Sequence, residues 1–155
     1  MCQRQNEFAE AFEALEAALR LAHADLKFAD LDLETGPAPH TRPTRLPPGK
    51  AAIYAFYAND RWLKIGKAGP NTGPRYVYQH YKRGGANSTL ASSLCNDPEL
   101  EFKSFSNAEI GQWIIGNCGR INILMPREWG EAALGFLESF LILRLRPKYE
   151  GHAWR

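Results

Sequence analysis

Apolar residues near the start of the chain recur at intervals of four and three, which predicts an amphipathic helix from about Asn6 to Lys27. Phe8, Phe12, Leu15, Leu19, Ala22 and Leu26 draw one seam, with glutamates on the other face. The seam has to be covered, either by the body of the protein or by a second copy of the chain. Two and a half to about three heptads is short for a free coiled coil, which favours the body over a homodimer through this helix. GPAPHTRPTRLPPGK (Gly36 to Lys50) follows, with five prolines and two glycines, and suits neither a helix nor a central strand. It is read as a linker or extended arm.

The period then shortens. AAIYAFY (Ala51 to Tyr57) and WLKIGKA (Trp62 to Ala68), separated by Ala58, Asn59, Asp60 and Arg61, predict a β-hairpin. Its second strand delivers Lys64 and Lys67 toward Tyr54 on the first, so a phenol and two ammonium groups are expected at one phosphate-sized spot. A helix is predicted from about Pro74 until the glycines at 84 and 85, with Arg75, Tyr78 and Gln79 sharing a face and His80 toward its side. Ser88 to Leu94 suits a single helical turn, and Leu100 to Phe105 a strand. Asn107 is read as the cap of a helix ending at Gly119, RINILM (Arg120 to Met125) as a further sheet strand, and Arg127 to Leu145 as the last helix, halted by Pro147. The fold class expected is α+β: a small mixed or antiparallel three-stranded sheet flanked by helices. The organisation expected is a helical region over 1–36, an arm over 37–50 and a main domain over 51–155.

Composition changes this picture little, and charge changes it more. With 155 residues, 45% of them hydrophobic, the chain can bury one sizeable core. No apolar run approaches the roughly 20 residues that span a bilayer, and MCQRQNEF opens an acidic helix rather than a signal peptide, so a cytoplasmic protein without a membrane partner is expected. Cys2, Cys95 and Cys118 form no C-x-x-C pair and suggest neither a disulfide framework nor a zinc site. Met1 to Gly36 carries eight acids to three bases, whereas the remainder carries sixteen bases to nine acids, a net −5 against +7. The body suits a polyanionic partner. In the arm, His40, Arg42, Arg45 and Lys50 are placed to follow a nucleic-acid backbone, or simply form a basic tether.

One carboxylate stands out. AALGFLESFLIL (Ala132 to Leu143) is apolar apart from Glu138 and the neighbouring Ser139. Either Glu138 lies on a narrow solvated stripe with Glu131, or it is paired, protonated or bound to a cation. No G-x-x-x-x-G-K-[ST] is present, and the glycines at 66, 69 and 73 follow a hairpin rather than opening a βαβ unit, which argues against a phosphate-binding enzyme built on them.

Together these residues resemble the GIY-YIG nuclease superfamily. Its first triplet stands as Ala52, Ile53, Tyr54, with alanine for the leading glycine. Its second stands as Lys64, Ile65, Gly66, with lysine for tyrosine, as in some compact restriction endonucleases of the superfamily. Nine residues, 55 to 63, separate the triplets. The helix arginine corresponds to Arg75, the metal-binding glutamate to Glu138, and the terminal P-x-x-N to Pro147, Lys148, Tyr149, Glu150, where an anion replaces the amide. Glu150 then either adds a second carboxylate near the metal or lies outside the site. The resemblance covers Ala51 to Gly151.

It implies metal-dependent hydrolysis of double-stranded DNA, with Mg²⁺ as cofactor and Mn²⁺ as substitute. Glu138 would hold the ion. Tyr54 would take a proton from the attacking water, with Lys64 and Lys67 favouring its phenolate. Arg75 would grip the phosphate, and His80, Tyr78 or Gln79 would assist. With no appended DNA-reading module in view, sequence readout would fall to Asn87, Ser88, Thr89 and Ser92 and to the arm's Arg42 and Arg45. A site-specific restriction-type endonuclease is expected first. A repair or mobile-element nuclease, or a catalytically silent nucleic-acid-binding module of the same fold, are the alternatives.

Overall fold

A computed structural model describes residues 3–22, 25–84 and 88–150. It is an α+β structure in which one antiparallel sheet separates two layers of helices. In chain order the elements are α1 (Gln3–Ala22), β1 (Asp32–Gly36), β2 (Lys50–Ala58), β3 (Arg61–Ala68), α2 (Gly73–Val77), α3 (Leu90–Asn96), α4 (Asn107–Asn117), β4 (Gly119–Pro126) and α5 (Gly130–Leu145). The sheet has four strands in the order β1-β4-β2-β3, not three. The extra strand, DLETG, is almost wholly exposed and has no apolar alternation, so its place depends on backbone pairing with β4, from Asp32 opposite Leu124 to Gly36 opposite Arg120. Hydrophobic periodicity carries no trace of such an edge strand.

Strand alternation splits β2 between two cores. Ile53, Ala55 and Tyr57 face α1 and α5, joined by Ile65, Ile121, Ile123, Leu137 and Leu141. Ala52, Tyr54 and Phe56 face the other layer, with Tyr76, Leu90, Leu94, Ile110 and Ile114. The N-terminal seam belongs to the first core: Phe8, Leu15 and Leu19 are buried against the body together with Ala11, and Phe12 packs half-buried beside them, so the face that suggested a homodimer is covered within the chain. Ala22, expected in that seam, is exposed, and Leu26 lies beyond the helix end.

Other boundaries move for identifiable reasons. The hairpin turns on Asn59 and Asp60, with Asn59 at φ 50°, a left-handed value that asparagine tolerates well. A bulge between Phe56 and Tyr57 leaves Leu63 as the additional residue of β3. Helix α4 is capped by Ser106, whose hydroxyl accepts the Glu109 N–H while the Glu109 carboxylate accepts the Ser106 N–H, and Asn107 is its first turn. Gly119 opens β4 opposite Tyr57 rather than closing the helix, and a Cβ there would stand 2.1 Å from the Tyr57 ring. Leu100 to Phe105 forms no strand. Its aromatic pair Phe102 and Phe105 packs with Trp113 instead. No helix among the described residues is long and apolar enough to cross a membrane.

Candidate active site

The edge strand β3 organises the site. Gly66 lies opposite Tyr54, and the Tyr54 ring crosses over it so closely that a Cβ at 66 would stand 2.5 Å from the phenol oxygen. Only glycine admits this approach, which lets the Tyr54 ring lie across β3 while the residue stays fully buried.

Two donors meet that oxygen. Arg75 Nε donates to it at 3.1 Å from α2, and His80 Nε2 lies 2.7 Å away. The direction of the second bond follows from the other ring nitrogen: Nδ1 accepts the Leu90 backbone N–H at 3.1 Å, so the proton of the neutral imidazole is on Nε2 and is donated to the phenol. Burial, and then the charges of Lys64, Arg75 and Arg120, hold the His80 pKa well below its ordinary value, consistent with a neutral ring. With both lone pairs of Tyr54 occupied, its own hydroxyl proton must point elsewhere. Burial pushes the phenol up to about 12, opposed by Arg75 and Arg120.

The predicted helix over 74–84 is interrupted, and this decides which residues converge. Helix α2 ends at Val77, and a 3₁₀ turn over Gln79–Tyr81 follows. The changed pitch turns His80 inward. Tyr78 is left exposed, outside the hydrogen bonds of the cluster, and Gln79 half-buried.

The two lysines, expected at one spot with the phenol, do not share it. Three residues apart on a strand, they project to opposite faces. Lys64, 1% exposed, donates to Glu150 Oε1 at 2.8 Å and to Ser88 Oγ at 2.9 Å. Lys67 turns toward α5, where its Nζ stands 3.3 Å from Glu131 Oε1 and 3.3 Å from Glu138 Oε2. The cations acting on the Tyr54 phenol are therefore Arg75 and Arg120, not the lysine pair.

Glu150 does enter the cluster, as the counter-ion of Lys64. The tail that carries it lies along β3, with Lys148 N–H donating to Trp62 O and Tyr149 N–H to Leu63 O. Asp97 pins the same tail by accepting from the Tyr149 hydroxyl at 2.6 Å and pairing with Lys148 at 2.7 Å.

Glu138 shares the Lys67 ammonium with Glu131. Its charge is near enough to raise the Tyr54 phenol. A cleft of about 320 Å³ separates α5 from the 69–72 turn and is lined by Lys67, Thr72, Arg75 and Glu131. Among the described residues no group of three or more His, Cys, Asp or Glu could hold a metal ion. Two carboxylates already converging on one cation are nevertheless an all-oxygen donor set. That fits a hard ion such as Mg²⁺, which keeps most of its waters and takes one or two protein carboxylates.

Arg120, at the start of β4, is a functional candidate that sequence reasoning missed. Buried on the Tyr54 side of the sheet, it donates to Asn122 Oδ1, the Tyr81 hydroxyl and the Tyr76 carbonyl, and lies 4.7 to 5.5 Å from the ring centroids of Tyr76, Phe56 and Tyr54. Asn122 passes the connection on to Glu34 of β1 at 3.0 Å. A charge opening an apolar strand was the available signal, the same one that singled out Glu138. The arm differs from expectation too: His40 is buried, within 2.6 Å of the Cys118 carbonyl and 2.8 Å of the Tyr81 hydroxyl, and burial lowers its pKa. Lys50 pairs with Asp32. Arg42 and Arg45 are exposed, and Asn87 lies outside the described residues. Cys95 and Cys118 are buried free thiols, the latter pushed up to about 12 by burial, which leaves it unreactive.

No protein-family model, curated protein or solved structure matches the chain.

Proposed function

We propose that this protein is a metal-dependent endodeoxyribonuclease of the restriction type. The observation carrying the reading is the Tyr54 oxygen, lying over Gly66 and accepting from Arg75 and His80, with the Glu138 charge near enough to raise it. The resemblance to GIY-YIG nucleases supports it from the sequence side, and the net +7 of residues 37–155 supports a polyanionic substrate.

Each residue then has a part that its surroundings suit. The Tyr54 hydroxyl has both acceptor positions filled by protein donors, which leaves its own proton to be given up when the oxygen acts as a base. Once ionised, its oxygen is held by the same two donors and takes the proton of the attacking water. Arg75 uses Nε on the phenol, and the rest of its planar guanidinium lines the cleft, where it pairs with a phosphate and offsets the charge that gathers in the transition state. Lys64, neutralised by Glu150, fixes the β3 edge and adds positive charge behind His80. Glu138, with Glu131 beside it, would hold Mg²⁺ in the place of the Lys67 ammonium. The ion, when bound, supplies Lewis-acid stabilisation of the phosphate oxygens.

Long duplex DNA incubated with Mg²⁺ or Mn²⁺ and then end-sequenced tests the assignment. Discrete ends are expected, marking a fixed recognition site. Dispersed ends would favour a repair or mobile-element nuclease, and DNA retained without cleavage would favour a silent binding module.

A further inference from the structure

Tyr78 stands on a ridge between two clefts, of about 590 and 580 Å³, both of which it lines together with Val77. The residue is 39% exposed, high for a large aromatic next to a buried cluster, and Lys82 Nζ lies 4.7 Å from its ring centroid. No aspartate or glutamate is among the described residues lining either cleft. Arg45 and Arg127 border one, and Arg42 and Lys82 the other; all four are exposed and pair with no carboxylate among the described residues. The first cleft reaches Pro70, which also lines the cleft holding Lys67 and Arg75. One path therefore runs from the cleft lined by Lys67 and the Arg75 guanidinium to the two clefts that Tyr78 borders.

We infer that this path carries a DNA strand with an unpaired base stacked on Tyr78, its phosphates flanked by Arg45 and Arg127 on one side and Arg42 and Lys82 on the other. The chemistry is that of strand-tracking proteins, where cations follow the backbone and an aromatic face takes the bases irrespective of sequence. A fully stacked duplex offers phosphates but no base face, so the ring discriminates in favour of an unpaired or everted nucleotide. The inference rests on the nuclease reading only for its choice of DNA as the polyanion.

Fluorescence anisotropy in EDTA, with a labelled single-stranded oligodeoxythymidine and a blunt duplex of equal length, separates binding from cleavage. Tyr78→Ala is expected to weaken single-strand binding about tenfold and duplex binding less than twofold, whereas Tyr78→Trp retains both. Arg45→Glu combined with Arg127→Glu is expected to weaken both and to flatten the salt dependence by about one contact per arginine removed. Circular dichroism melting shows that each variant is folded. Single-strand affinity within twofold of wild type for folded Tyr78→Ala, or an equal loss on both DNAs, overturns the inference. A chain that binds in this manner but never cleaves refutes the nuclease reading alone. A chain that cleaves while ignoring Tyr78 refutes this inference alone.

Discussion

Tyr54 and Gly66 form a single device, because the phenol lies across β3 only where its neighbour has no side chain. Gly66→Ala places a methyl group 2.5 Å from the phenol oxygen, so the ring must move. An overpacking cost of about 1–3 kcal/mol is expected in urea melts, together with loss of any Tyr54-dependent activity. Wild-type stability and rate in that variant would remove the close approach from the account. The phenol also sets a pH dependence. With Tyr54 held up at about 12, its phenolate fraction, and with it the cleavage rate, is expected to rise about tenfold per pH unit between pH 7 and 9. The histidines set another. His40 and His80 are held below their unfolded value of 6.5, so the unfolded chain binds more protons than the native one below that pH. Their contribution to stability is complete above pH 6.5 and is lost on acidification, at up to about 1.4 kcal/mol per pH unit for each. A melting temperature unchanged between pH 7 and 5 would count against two buried neutral imidazoles.

The elements differ in how far their patterning announces them. The hairpin, β4 and α5 are legible because each buries an apolar run, and α1 because its seam has the helical period. Strand β1 is silent, since four of its five residues are exposed and its pairing is made by the backbone. The break after Val77 is also unmarked by any proline or glycine, so the expected shared face of Arg75, Tyr78 and Gln79 gives way to Arg75 with His80. Arg75, Glu138 and Tyr54 were legible through their order along the chain. Arg120 and the projection of Lys64 and Lys67 to opposite faces were legible in principle, the first as a charge in an apolar strand, the second by alternation. Helix α1 yields a direct prediction. Leu15 is fully buried against the body, so Leu15→Ala is expected to cost about 2–5 kcal/mol of unfolding free energy. Dissociation of a dimer without loss of monomer stability would instead mean that the seam pairs between copies. The tail behaves as a clasp: Asp97, lowered to about 2 by Lys148, Tyr149 and the Glu99 N–H despite its burial, anchors the segment that brings Glu150 to Lys64.

At the scale of the whole molecule, the sheet is a partition and the site lies where the partition ends. Tyr54, Arg75, His80 and Lys64 belong to the layer of α2 to α4, whereas Glu138 and Lys67 belong to the α5 side, and Arg75 and Lys67 meet at one cleft. The central claim is that a phenol from one layer and a carboxylate from the other act on one phosphodiester. The most direct measurement is the single-turnover rate of supercoiled plasmid cleavage in Mg²⁺ for wild type, Tyr54→Phe and Glu138→Gln, with thermal melts to show that all three fold. The expected result is a fall of about a hundredfold or more in each variant. Three equal rates, or cleavage that persists when both side chains are replaced together, would contradict it.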